Sequence, residues 1–172
     1  MTPRDAIELL LDPQSDAAVR REWAMLQALA LPTQADNTST TNAPHVTLVS
    51  GAFADGALDE LAGVLIARLL PSPAVLAELT LFGDARLTLA RAVTLDGQLA
   101  EAVLALRAEA AQRDPGTARW PWVPHVSLAR RLTREQARLA MAAVSGGPLA
   151  VTLTQVRRWD FAARRVFPIP AR

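Results

Sequence analysis

The chain has 172 residues, 51% of them hydrophobic and 20% charged, which is enough apolar material for one compact domain and too much for a disordered chain. It contains no cysteine, so a disulfide framework, a thiolate nucleophile and a cysteine metal site are excluded. The net charge of +1 hides a segregation of sign: residues 1–112 carry 7 Arg against 14 acids, residues 113–172 carry 11 Arg against 3, and lysine is absent.

Ala6 to Leu11 is an apolar run of strand length, and Asp12-Pro13-Gln14-Ser15-Asp16 supplies turn and N-cap chemistry for a helix to about Ala30. Val19, Trp23, Leu26 and Ala30 form the stripe expected to be buried. Residues 32–44 are polar and aperiodic, which predicts a mobile loop delivering the chain to His45. A strand follows over His45 to Ser50, then a helix over Ala57 to Leu70, then two strands, Glu78 to Phe82 and Arg86 to Thr94, joined at Gly83-Asp84. Asp96 opens a helix with Leu99, Val103, Leu106 and Ala110 on one side, stopped by Asp114-Pro115-Gly116. Val123 to Ala129 reads as a strand and Thr133 to Val144 as a helix whose start has capping-box spacing. Two closing strands are expected over Leu149 to Arg158 and Arg164 to Ile169. Strand, helix, strand pair thus occurs twice, a weak internal duplication.

The sharpest feature lies in that duplication. The two histidines of the chain stand in matching frames, Pro44-His45-Val46-Thr47-Leu48 and Pro124-His125-Val126-Ser127-Leu128. Side chains at i and i+2 of a strand share a face, so His45 projects with Thr47 and His125 with Ser127, while the intervening apolar residues face a core. Brought into one concavity, two imidazoles and two hydroxyls suit phosphodiester hydrolysis: one imidazole takes a proton from water, the other protonates the departing oxygen, and the hydroxyls donate to phosphoryl oxygens. No acidic residue lies within five positions of either histidine, which argues against a metal site. Ser127 lacks the Gly-x-Ser-x-Gly elbow of a serine hydrolase.

These motifs resemble those of the 2H phosphoesterases, defined by two His-x-[Thr/Ser]-x motifs about half a domain apart, and are most similar to the branch of 2′-5′ RNA ligases and RNA cyclic phosphodiesterases. The resemblance implies an α+β fold of two pseudo-twofold lobes, intertwined in one domain over 1–172, with antiparallel sheets lining a central cleft and helices outside. It also implies hydrolysis of RNA 2′,3′-cyclic phosphate ends to 2′-phosphates without metal or cofactor, with reversible 2′-5′ ligation as a companion. By the same resemblance His45 is the proton donor to the leaving 3′ oxygen, His125 the acceptor that activates water, and Thr47 and Ser127 the phosphate ligands. Ser127 stands where threonine is commoner, and Val49-Ser50-Gly51 interrupts what is usually a longer apolar strand, so a divergent sub-branch is expected.

Arg130 is the candidate for an added phosphate contact, although strict alternation turns it away from the cleft unless the strand bulges at Ala129. Trp122, Trp120 and Phe82 are candidates for stacking on a base. The expected partner is RNA with a cyclic phosphate end or a cyclic nucleotide, acted on by a soluble, cytoplasmic, monomeric protein. The competing readings are a phosphodiesterase of a small cyclic nucleotide or ADP-ribose cyclic phosphate, and a non-catalytic RNA-binding module.

Overall fold

The computed structural model describes residues 5–52, 56–118, 121–144 and 146–172. Its elements run β1 (Asp5–Leu11), α1 (Pro13–Ala28), β2 (His45–Gly51), α2 (Ala57–Leu65), β3 (Ser72–Phe82), β4 (Leu87–Leu95), α3 (Gly97–Arg113), β5 (His125–Leu132), α4 (Arg134–Ala143), β6 (Leu149–Asp160) and β7 (Arg165–Pro168). The fold is α+β, as the resemblance implies. All strands join one antiparallel sheet in the order β2-β1-β6-β3-β4-β5, with β7 added to β6 beyond β3.

That order reads the same from both ends. The chain repeats strand, helix, histidine strand, helix, strand as β1-α1-β2-α2-β3 and β4-α3-β5-α4-β6. The last strand of each repeat crosses over: β3 pairs with β4 of the second repeat, and β6 returns to pair with β1 of the first. The two halves are bridged by pairing of Ser72–Leu76 with Leu149–Leu153. The sheet curls enough for its end strands, β2 and β5, to lie against each other. Helices α1 and α4 cover the β4–β5 end, and α2 and α3 cover the β2–β6 end.

Buried Ile7 and Leu9, Val46 and Leu48, Leu89, Val126 and Leu128, and Leu153 and Val156 form the sheet side of the core. The helices bring Val19, Trp23 and Leu26, Leu58 and Ala62, the expected stripe Leu99, Val103, Leu106 and Ala110, and Ala137 with Ala140. At about 25 cal/mol per Å², each large side chain removed from water contributes roughly 1.5–3 kcal/mol against the entropy of ordering. Caps set the helix starts: Asp12 accepts from Ser15 N at 2.8 Å, Asp96 from Gln98 N at 3.0 Å, and Thr133 and Gln136 form the reciprocal box.

Four expectations need correction. Helix α1 stops at Ala28, and Ala30 lies exposed in the left-handed region at φ 54°, leaving the buried stripe. The helix expected over 57–70 is α2 followed by a 3₁₀ turn, Ala67–Leu69. Strand β3 begins at Ser72, because Pro73 sits before β4 joins at Ala74 and so removes no donor needed by that ladder. The polar segment before His45 is tied down rather than loose: Thr33 and Asp36 cap a 3₁₀ turn, and the Asn42 amide donates to Gln34 O and Asn37 O, each at 2.9 Å. Among the described residues no helix is long and apolar enough to cross a membrane.

Candidate active site

The two histidines are held alike. His45 Nδ1 lies 2.7 Å from Ala43 O, and His125 Nδ1 lies 2.7 Å from Val123 O. A carbonyl has no proton to give, so Nδ1 carries it, and Nε2 is left as the nitrogen able to exchange a proton. The proline between explains the geometry: Pro44 and Pro124 fix their own φ and press the preceding residue into extended backbone, which sets the accepting carbonyl beneath the ring.

Both imidazoles open into a cleft of about 790 Å³ lined also by Thr47, Ser127, Ser50, Arg130, Ala6, Glu8, Arg157, Trp159, Phe161 and Arg164, and by Gln34, Asn37, Ser39, Thr41, Asn42 and Ala43 of the segment before His45. Residues His45 with Thr47 and His125 with Ser127 thus meet as the i, i+2 rule expects. Ser50 and Arg130 join them because each strand bulges. On β2 the register jumps from Thr47 to Val49 while β1 advances one residue, and on β5 from Ser127 to Ala129 while β4 advances one. The extra residue breaks alternation, so Leu48 and Val49 are both buried, as are Leu128 and Ala129. The residue after each pair returns to the cleft face.

The backbone exposed at these bulges is satisfied crosswise. Thr47 O accepts from Trp122 Nε1 at 3.0 Å and Leu48 O from the Arg107 guanidinium on α3. Ser127 O accepts from Trp23 Nε1 on α1 at 3.1 Å and Leu128 O from Thr33 Oγ1 at 3.1 Å. Each histidine strand is therefore held by a helix and a loop of the other repeat. This corrects the stacking expected of Trp122: its indole is bonded to the sheet edge, Arg107 lies 5.1 Å over its ring, and it does not line the cleft. Trp120 lies outside the described residues. Phe82 packs on the His125 ring at 4.6 Å between centroids, a wall of the imidazole rather than an open platform.

Electrostatically the halves differ. Glu8, 6% exposed, pairs in register with Thr47 and Arg157. Its Oε2 accepts from Arg157, Nε at 3.0 Å, and its Oε1 lies 3.4 Å from His45 Nε2. Arg157 also donates to Thr41 O at 3.0 Å. The corresponding position in the other half, paired with Ser127, is Ala90. The charged neighbour of His125 is Arg130, and burial, together with the charges of Arg130 and His45, lowers the His125 pKa against the opposing pull of the Val123 carbonyl. Glu8 and Trp159 went unnoticed as cleft residues in the sequence, since only the β1–β6 pairing brings them there. Among the described residues, no group of three or more His, Asp or Glu side chains gathers as a metal site.

The same fold occurs in E. coli LigT complexed with 3′-AMP, at TM-score 0.56 and 21% identity over 99% of this chain and 95% of that one. It occurs in TT0787 of Thermus thermophilus, at TM-score 0.59 and 20% identity, and in Usb1 of Kluyveromyces marxianus with uridine monophosphate, at 0.60 and 14%, each covering 98% of both chains. A sequence search of curated proteins finds no match. The family model of the 2′-5′ RNA ligase superfamily matches residues 13–165, a span holding both histidine strands and helices α1 to α4, and the chain thus belongs to that superfamily of 2H phosphoesterases.

Proposed function

We propose that the protein hydrolyses 2′,3′-cyclic phosphate ends of RNA to 2′-phosphates by two-histidine acid–base catalysis. The observation that carries this reading is the pair of imidazoles, each fixed through Nδ1 to the carbonyl two residues before its strand and opening with a hydroxyl into one cleft. His125 Nε2 accepts a proton from the attacking water as oxygen bonds to phosphorus. The bond from phosphorus to O3′ breaks, and His45 Nε2 delivers a proton to that oxygen. Thr47, Ser127 and Arg130 hold the phosphoryl oxygens, charge-assisted in the case of arginine.

The neighbours support this division. Burial and Arg130 favour neutral His125, the form a base needs, whereas Glu8 Oε1 offers an acceptor to a proton on His45 Nε2. LigT with bound 3′-AMP and Usb1 with uridine monophosphate carry nucleotides on this fold, in keeping with a nucleotide substrate.

The test is hydrolysis, in EDTA, of an RNA ending in a 2′,3′-cyclic phosphate, with 2′- and 3′-phosphate products separated. The expected product is the 2′-phosphate, and His45→Ala and His125→Ala should each lower kcat by about 10²–10⁴-fold. Full activity in either variant, or dependence on a divalent metal, overturns the mechanism.

A further inference from the structure

The cleft continues beyond the catalytic groups. On its floor, cross-strand rows follow one another: Thr47, Glu8 and Arg157 form one, and Ser50, Ala6 and Trp159 the next. With strands about 4.8 Å apart and residues about 3.3 Å along them, Trp159, two strands across and two residues along, stands roughly 12 Å from Thr47. Ala6, opposite it, has no side chain long enough to cover the indole. Past Trp159 the β6–β7 turn brings Phe161, 44% exposed, and Arg164 to the same cleft.

The three cleft arginines are not equivalent. Arg157 is buried and spent on Glu8 and Thr41 O. Arg130 belongs beside His125. Arg164, exposed, has no hydrogen-bond or ion-pair partner among the described residues. An open guanidinium beside two aromatic rings is the combination that binds single-stranded nucleic acid: rings stack on a base, and the cation takes a phosphate.

Resting on the reaction above, we propose that Trp159, Phe161 and Arg164 form a second nucleotide subsite, which receives the base and linking phosphate of the nucleotide preceding the cyclic end. The substrate class is then an oligonucleotide end rather than a free cyclic nucleotide or ADP-ribose cyclic phosphate. The segment before His45, with Gln34, Asn37 and Ser39 at the cleft, supplies neutral donors and acceptors suited to ribose or base edges.

The experiment compares kcat/KM for 2′,3′-cyclic AMP and for a dinucleotide with a 2′,3′-cyclic end, in wild type, Trp159→Ala, Phe161→Ala and Arg164→Ala. The wild type should prefer the dinucleotide by about tenfold or more, and Trp159→Ala should reduce that preference at least about fivefold. Arg164→Ala should lessen the salt dependence for the dinucleotide by about 0.7 in logarithmic slope. Phe161→Ala and Arg164→Ala lie on the exposed turn, so they carry the test even if Trp159→Ala disturbs strand pairing. Equal use of both substrates, or a preference that none of the variants reduces, overturns the subsite and leaves the reaction standing. Failure to hydrolyse either substrate overturns the reaction and the subsite with it.

Discussion

His125 is half-buried, and its lowered pKa ties the protonation of the proposed base to stability. An unfolded histidine takes its proton near pH 6.5, whereas the folded one resists it. Between these values the unfolded chain binds more protons, so stability falls as pH drops below about 6.5 towards the lower folded-state value. Urea midpoints at pH 7.5 and 5.5 should show this fall in the wild type and a smaller one in His125→Gln. If His125 is the base proposed above, activity should decline over the same acidic limb as it becomes protonated. Glu8 answers to a different cost: Glu8→Ala leaves Arg157 buried without its counter-charge and should destabilise by about 3–5 kcal/mol, measured by denaturant unfolding. The histidines were legible because a five-residue frame recurs around the only two in the chain. Glu8 was not, because its neighbours are set by strand pairing across the whole sequence.

At the scale of elements, period and caps identified most helices and strands, since Asp12, Asp96 and Thr133 announce helix starts by their own chemistry. Strict alternation left Arg130 ambiguous, because a bulge depends on the neighbouring strand. It also could not foresee that the open edges of β2 and β5 need donors, which Trp122, Arg107, Trp23 and Thr33 provide. Trp122 illustrates the limit: an aromatic beside a histidine motif suggests a base platform, yet a buried indole N–H must find an acceptor, and the bulge carbonyl is at hand. Removing such a donor strands a carbonyl at a cost of about 1–3 kcal/mol. Thr33→Val, nearly the same in shape, should lose stability of that order in thermal or urea unfolding, and kcat should fall because the Leu128 peptide adjoins Ser127.

At the scale of the molecule, the sheet is duplicated with a different unit from the one read in element order, since β4, read as closing the first copy, opens the second and β7 has no counterpart; the exchange of final strands was invisible in sequence, because no local signal says which strand a given strand joins. The exchange predicts that the halves cannot stand alone. A chain divided at Gly83-Asp84 leaves β1 without β6 and β3 without both its partners. Each fragment should lack cooperative unfolding by circular dichroism, and mixing the two should restore it; independent folding of either half would contradict this.

The crossed strands also bear on why one chain carries both copies. In a lone repeat the first strand pairs with the histidine strand on one edge and leaves the other edge open for the last strand of a second copy, so it would close only as a strand-swapped homodimer with identical surroundings at both imidazoles. Covalent fusion releases the copies from that identity. Glu8 faces one motif where Ala90 faces the other, and Ser50 occupies the place that Arg130 takes across the cleft. A twofold scaffold thereby gains two unlike ends, the asymmetry that the proposed acid and base require.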